Sequence, residues 1–255
     1  MSTKCGDPCV GLASLSSTCP KESLVVFGGP RSVRFAAERG ATGVVVGWVA
    51  LVAFLLVMAV VVAALLGSFT VKGRSMEPTM VSGERILIDP LHNDDIERFD
   101  LVQGVEPGPE RFGGGMQVVK RVIGLPGDRV AIVGGEKPVV YVSPAGSADV
   151  YRVDNPAWPA RIGAEVGMCC EPDGTYDDDA ASGVWATVPG DSLWVLGDNW
   201  GGSTDSRGFG FLPLADVSGE AWLRLLPAGA FGGFGDGGVE LVEVAVPVTG
   251  LDVRP

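Results

Sequence analysis

The dominant feature of the hydrophobic pattern is an uncharged apolar run from Val44 to Gly67, "VVVGWVALVAFLLVMAVVVAALLG". At about 1.5 Å per residue, a helix of this length crosses the roughly 30 Å hydrocarbon layer of a bilayer. A buried helix of a soluble protein would rarely stay apolar on every side over so many turns. A cleaved signal peptide is disfavoured because the run is too long and follows a long leader, residues 1–43. The pattern predicts a transmembrane anchor at residues 44–67.

Basic residues on the two flanks of this run predict its orientation. They are Arg31, Arg34 and Arg39 on the N-terminal side, and Lys72 and Arg74 on the other side. Because the positive flank of an anchor stays in the cytoplasm, this modest bias places the N-terminus inside. Residues 1–43 are then a cytoplasmic, disordered leader, and the chain after the anchor is extracytoplasmic.

Short β-rich runs, separated by Gly, Pro and Asp, follow the anchor. They are "RILIDP", "DLVQGV", "MQVVKRVIGL", "DRVAIV", "PVVYVS", "SLWVLGD" and "GEAWLRLLP". Runs of this length with a turn signal every ten residues or so predict an all-β domain. We assign it residues 68–132 and 190–227, with "GPERFGGG" as a flexible hairpin connection. Residues 133–189 are predicted to be an inserted accessory region, and 228–255 a mobile C-terminal extension. The acidic stretch "EPDGTYDDDAASG" is a solvated loop or, alternatively, a calcium loop without EF-hand spacing.

Charge and cysteine content narrow the possible partners. The chain is 46% hydrophobic and 20% charged, and residues beyond 43 hold 14 basic and 28 acidic side chains. Such an acidic outer domain argues against nucleic acid as a partner. Cys5, Cys9 and Cys19 lie in the leader and lack a complete metal-ligand set, so we predict no metal and no cofactor. The adjacent Cys169 and Cys170 allow a strained vicinal disulfide, two thiols or an intermolecular role.

Two stretches together predict a nucleophile and its base. Ser75 lies in "VKGRSMEPTM", and the one histidine of the chain, His92, lies in a polar turn that we predict to be at the surface. Lys120 lies in "VVKRVIGLPGD", among valines that remove its hydration and lower its pKa. A shift from about 10.4 to near 7 is about 3.4 units, or about 4.6 kcal/mol, within the range documented for buried amines. A neutral Lys120 could accept the Ser75 proton. If the lysine were considered without Ser75, the ordinary expectation would be that its side chain reaches solvent.

A third stretch, "LGDNWGGSTDSRGFGFLP", offers groups to support this pair. Ser203 could orient the lysine amine, and Asp205 with Arg207 could fix the loop by an ion pair. Alone, the stretch is an ordinary surface loop with Asp198 and Asn199 as Asx-turn residues. The chain has no Ser-x-x-Lys, G-x-S-x-G, H-E-x-x-H or Walker motif, which excludes several other catalytic classes.

In their order along the chain, these stretches resemble the bacterial type I signal peptidases. The similarity rests on "G-x-S-M-x-P-T-M", "DLV", "K-R-V-I-G-L-P-G-D" and "G-D-N-x-x-x-S-x-D-S-R" after an N-terminal anchor. The resemblance implies a mainly β catalytic domain in which Ser75 is the nucleophile and Lys120 the general base. It implies that Ser203 orients the lysine and that Asp205 and Arg207 form a structural ion pair. The family's oxyanion hole combines the nucleophile's backbone N–H with a hydroxyl two residues earlier, where this chain has Gly73.

The resemblance also implies the substrate and the location. Shallow pockets would accept small side chains at the first and third positions before the cut, the Ala-x-Ala rule, and would be lined by Val71, Met76, Met80, Val118 and Val119. The implied partners are signal peptides of exported preproteins and the lipid bilayer, close to the secretion translocon. Ser75 follows Gly67 by eight positions, a reach of at most about 28 Å, which predicts a site near the outer membrane face.

Two other functions are compatible with parts of the pattern. A self-cleaving serine–lysine regulatory protein would need a DNA-binding leader and no anchor, the reverse of this chain. A catalytically inactive membrane-anchored scaffold is favoured by Gly73 and disfavoured by the presence of Ser75, Lys120 and Ser203.

Overall fold

The structure is a computed structural model that describes residues 32–92, 95–108, 115–134, 138–158, 168–177 and 183–245. Two compact units can be distinguished, residues 1–56 and residues 57–255. The predicted leader thus lies largely outside the described residues, as does most of the "GPERFGGG" connection.

One long helix, α1 (Ser32–Leu66), occupies the region of the apolar run and begins earlier than predicted. Within it, Thr42–Ala63 is a 22-residue segment of mean hydropathy 3.0, none of which is buried. By length and composition this segment could cross a membrane. The predicted N-terminal apolar helix is therefore confirmed as a structural element.

The first of two β-sheets has eight strands in the second unit. Its path runs β1-β2-β13-β3-β4-β11-β12, with β14 paired to β13. The strands are β1 (Phe69–Thr70), β2 (Arg85–Asp89), β3 (Leu101–Val105), β4 (Gln117–Gly124), β11 (Ser192–Leu196), β12 (Leu212–Pro213), β13 (Val217–Leu226) and β14 (Gly232–Gly233). Strands β3 and β4 form an antiparallel hairpin in which Val102 lies opposite Lys120. A four-residue helix, α2 (Ser206–Phe209), lies between β11 and β12.

The second sheet has seven strands, in the order β15-β7-β6-β5-β8-β9 with β10 paired to β5. The strands are β5 (Arg129–Val133), β6 (Val139–Ser143), β7 (Val150–Asp154), β8 (Met168–Cys169), β9 (Tyr176–Asp177), β10 (Ala186–Thr187) and β15 (Glu240–Val244). Every one of the seven runs predicted as β contains a strand. The mainly β fold is confirmed.

A shared apolar core holds the sheets together. Ile123 and Trp194 of the first sheet are fully buried against Val130, Ile132 and Val140 of the second sheet. Burying side chains of this size contributes about 1.5 to 3 kcal/mol each. The strand that carries Lys120 is therefore supported at its C-terminal end by the second sheet.

The C-terminal region differs from the expectation of a mobile extension. Glu240–Val244 pairs in antiparallel register with Val150–Asp154 over five residues, and Gly232–Gly233 pairs with β13. Pairing satisfies the backbone groups that a free tail would leave to water. Residues 232–233 and 240–244 thus belong to the two sheets, while residues 246–255 lie outside the described residues.

The two adjacent cysteines are both buried and their sulfur atoms lie next to each other. Their burial disfavours the intermolecular role considered from the sequence. Part of the "EPDGTYDDDAASG" loop lies outside the described residues.

Candidate active site

A groove of about 750 Å³ is lined by residues from two parts of the first sheet. One wall is the continuous segment 68–76, and the other is formed by residues 116–120 of β4 and its approach. Glu106, Gly202 and Thr204 complete the lining. Ser75 and Lys120, which are 45 positions apart in the sequence, face this one groove.

Ser75 lies in a turn between β1 and β2 that is held by the loop after β11. The backbone N–H of Asn199 donates to the Ser75 carbonyl oxygen at 3.0 Å, and the Asn199 side-chain amide donates to the Arg74 carbonyl oxygen at 2.9 Å. Asn199 thus fixes the turn from both sides of Ser75. Sequence reasoning assigned Asn199 only a local turn role.

Lys120 lies on β4 and is only 2% exposed. Burial lowers the pKa of its amine; the nearby carboxylates of Asp205 and Glu106 raise that pKa, the Arg207 charge lowers it, and the net direction is down. The side chain therefore does not reach solvent as a lone strand lysine would be expected to do. Its environment favours the neutral amine, the form that accepts a proton.

This burial makes a testable prediction about stability. In the unfolded chain the amine has its ordinary pKa near 10.5, so between the folded and unfolded pKa values the unfolded state binds more protons. The free energy of unfolding therefore rises with pH in this range. At lower pH, each unit by which burial lowers the Lys120 pKa costs about 1.4 kcal/mol of that free energy. We expect Lys120→Met to be stabilised relative to wild type at pH 7, with a smaller gain at pH 10. Urea unfolding of the detergent-solubilised chain at both pH values measures this; a gain that is equal at the two pH values would contradict it.

Asp205 and Arg207 form a buried bidentate ion pair. Arg207 Nε donates to Asp205 Oδ1 at 2.7 Å, and Nη2 donates to Oδ2 at 2.8 Å. Asp205 also accepts from the Gly197 N–H at 3.0 Å, and Arg207 stacks over the Trp200 ring at 4.3 Å. The pair thus closes the loop that contains Gly202 and Thr204, which line the groove.

Ser203 lies in the same loop but does not contact the lysine amine through a hydrogen bond. Its hydroxyl is buried and has no hydrogen-bond partner in the part of the chain that the structure describes. It packs closely against Gly197. The structure places Ser203 beside the groove-lining residues and leaves its expected contact with Lys120 unmade.

Gly73 lies on the groove wall with a backbone φ of +87°. A side chain there would have room, since nothing lies within 4 Å of an added Cβ. The left-handed backbone, however, is one that residues other than glycine adopt only at a cost of about 1 to 2 kcal/mol. This conformation accounts for glycine at a position where a hydroxyl was expected.

The residues predicted to bind substrate separate into two groups. Val71, Met76, Val118 and Val119 line the groove. Met80 does not; it is fully buried in the cluster formed with Ile86 and Leu101 behind the groove wall.

Asp198 is the centre of a buried network that sequence reasoning missed. It accepts two hydrogen bonds from Arg121, at 2.9 and 2.6 Å, one from the Thr79 hydroxyl and one from the Asn155 amide at 2.9 Å. These donors belong to the lysine strand, the Ser75 turn and the end of β7. An arginine directly after Lys120 in an apolar strand was the available signal, because a buried charge requires a partner.

Known proteins are similar in sequence to this chain from the apolar run of α1 to the end of β13. The family model described as signal peptidase, peptidase S26, matches residues 45–226. The chain belongs to this family. The resemblance drawn from the motifs is thereby confirmed, and the matched range contains every groove residue described above.

Two members of the signal peptidase family agree with this assignment in sequence. The chain is 32% identical to signal peptidase I of Bacillus caldolyticus over 163 residues, which is 63% of this chain and 79% of the relative. It is 29% identical to signal peptidase I of Streptococcus pneumoniae serotype 4 over 185 residues, 64% of this chain and 84% of the relative. A crystal structure of a signal peptidase I from Enterococcus faecalis V583 aligns with 25% identity and a TM-score of 0.34, covering 49% of this chain and 96% of that one.

Proposed function

We propose that this chain is a membrane-anchored serine endopeptidase that removes signal peptides from exported preproteins. The observation that carries the proposal is that one groove contains both a serine and a buried lysine whose pKa is lowered. The names of the chain's relatives, signal peptidase I, supply the substrate class. The residues proposed for the chemistry are Ser75 and Lys120.

The proposed reaction has two halves. The Ser75 oxygen attacks the scissile carbonyl carbon while the neutral Lys120 amine takes the serine proton. The resulting oxyanion is stabilised by the Ser75 backbone N–H, and the tetrahedral intermediate collapses as Lys120 donates its proton to the leaving amine nitrogen. In the second half, Lys120 removes a proton from water, whose oxygen attacks the ester carbonyl carbon. As the bond to the serine oxygen breaks, Lys120 returns the proton to Ser75 and the carboxylic acid product is released.

Substrate is proposed to bind as an extended strand along β4. Among the described strands, β11 pairs only with the Arg121–Gly124 half of β4, so the Gln117–Lys120 half has an unpaired edge on that side. A peptide can add to such an edge through backbone hydrogen bonds, while pockets read alternate side chains. The side chains of Val71, Met76, Val118 and Val119 would restrict these pockets to small residues and thus favour Ala-x-Ala.

The proposed location follows from α1. Thr42–Ala63 would span the membrane once, with the N-terminus cytoplasmic and the β domain outside, near the translocon. Ser203, whose buried hydroxyl has no hydrogen-bond partner among the described residues, is proposed to orient Lys120 by forming the hydrogen bond that the structure leaves unmade, and the Asp205–Arg207 pair is proposed to support the loop. Residues 68–132 and 190–227 are proposed as the catalytic domain, and residues 133–189 as an accessory region.

Cleavage of a preprotein with an Ala-x-Ala site by the detergent-solubilised full chain tests this function. We expect one cut, directly after the second alanine, identified from the masses of the two products. A Ser75→Ala preparation purified in parallel excludes a contaminating peptidase, and a Leu-x-Leu substrate should resist cleavage. Failure of a folded wild-type chain to cut the alanine substrate would favour the inactive scaffold instead.

A further inference from the structure

Glu106 is a buried carboxylate in the groove to which the proposed reaction assigns no role. It follows β3 directly and is only 4% exposed. Its backbone N–H donates to the Met116 carbonyl oxygen at 2.9 Å, and its own carbonyl oxygen accepts from Gly115 at 2.9 Å. These bonds extend the β3–β4 hairpin by one step and fix the position of Glu106. A carboxylate is rarely buried without a partner.

The strand register directs Glu106 and Lys120 to one face of the hairpin. Lys120 lies opposite Val102, and Val118 lies opposite Gly104. Because side chains alternate along a strand, residues 102, 104 and 106 share a face with 118 and 120. Gly104, which lies between Val102 and Glu106, contributes no side chain, and the space above it is occupied by Leu212, an apolar side chain that carries no charge to screen the carboxylate from the amine.

Other charges also lie around Lys120, and two of them partly offset each other. The Asp205 carboxylate raises the Lys120 pKa and the Arg207 charge lowers it. These two side chains form an ion pair with each other at 2.7 Å. On the opposite groove wall, Lys72 and Arg74 are exposed, and Arg74 is paired with Glu77 at 3.0 Å. Within the described residues, no ion pair neutralises Glu106, so its charge, unlike that of Asp205, has no bound counter-charge to reduce its effect on the Lys120 pKa.

We propose that Glu106 is a positioning residue that acts through Lys120 and sets the pH at which the lysine becomes the neutral base. The inference rests on the proposed function, because it requires Lys120 to be that base. A carboxylate close to an amine stabilises the protonated amine and raises its pKa. The interaction is mutual: burial raises the pKa of Glu106 and the Lys120 charge lowers it. Glu106 thus offsets part of the lowering of the Lys120 pKa that burial causes. The pH below which activity is lost is therefore higher than it would be without the Glu106 carboxylate.

The test is the pH profile of kcat/KM for Glu106→Gln in the full solubilised chain. The substrate has uncharged side chains around the cut, so that attraction between Glu106 and the substrate does not contribute. We expect the midpoint of the acidic limb to fall by about one pH unit, because loss of the carboxylate lowers the Lys120 pKa. One unit below the wild-type midpoint, the variant would then be about fivefold more active than wild type.

Two matched variants separate charge from structure. Glu106→Asp keeps the carboxylate and should keep the midpoint within half a unit of wild type, while Glu243→Gln removes an exposed carboxylate from β15 and should leave it unchanged. Partial misfolding of Glu106→Gln would scale the rate equally at every pH and would not move the midpoint. An unmoved midpoint in Glu106→Gln overturns the inference. The proposed function fails separately, if Ser75→Ala still cuts.

Discussion

Lys120→Arg is expected to lose nearly all cleavage activity, with kcat/KM falling by up to about 10⁴-fold. Arginine keeps the positive charge and the length of the side chain, but its guanidinium is not deprotonated in proteins. The burial that lowers the pKa of the Lys120 amine therefore cannot produce a neutral base from arginine. Both proton transfers of the proposed reaction would be lost together.

Initial rates on the Ala-x-Ala substrate from pH 6 to pH 10 measure this loss, and no recovery is expected at the alkaline end. A guanidinium is larger than an ammonium group and the site is only 2% exposed, so a second variant is needed to separate loss of the base from loss of packing. Lys120→Met removes the base without adding a charge, and the lowered pKa of the lysine predicts that it folds stably at neutral pH. Activity within tenfold of wild type in either variant would remove Lys120 from the mechanism.

Strands could be predicted from the sequence where their own residues and the turn residues beside them indicate a strand. Ser192–Leu196 contains a continuous apolar run, and Gln117–Gly124 contains two short apolar runs on either side of Lys120 and Arg121; turn residues bound both strands, and both were found. Glu240–Val244 was not, because its partner, Val150–Asp154, lies about ninety positions earlier. A two-strand pairing over that distance is decided by tertiary contacts and not by local propensity.

The residues of the candidate site likewise fall into those that could be predicted from the sequence and those that could not. Ser75 and Lys120 could be predicted because each carries chemistry that its neighbours do not explain. Asp198 could not be given its role, because a local interpretation as a turn residue already accounted for it. Its three donors, Thr79, Arg121 and Asn155, come from three separated parts of the chain. A buried hub of this kind is apparent only once the strands are placed.

The Asn155 hydrogen bond also links the second sheet to the elements that carry Ser75 and Lys120. Asn155 follows β7 and is 5% exposed, and its amide reaches the same Asp198 carboxylate that Arg121 and Thr79 contact. Through this carboxylate, the end of β7 contacts both the lysine strand and the serine turn. Because a buried carboxylate with several donors has little freedom to move, the network holds these two elements at a fixed separation.

Gly197→Ala is expected to reduce kcat/KM by about 100-fold or more, although alanine adds only one methyl group. A Cβ on Gly197 would overlap the Ser203 side chain and the carbonyl oxygen of Ser75. Neither atom can yield without moving the loop or the turn that carries the nucleophile. A displacement of about 1 Å at a reacting group is sufficient for a loss of this size.

Gly201→Ala provides the matched control for this variant. Gly201 lies four residues further along the same loop, and nothing lies within 4 Å of the Cβ that alanine would add. The same substitution should therefore leave the rate within about twofold of wild type. Parallel unfolding curves would establish that Gly197→Ala is folded under the assay conditions. Equal activity of the two variants would mean that contact between this loop and the Ser75 turn does not determine the position of the nucleophile.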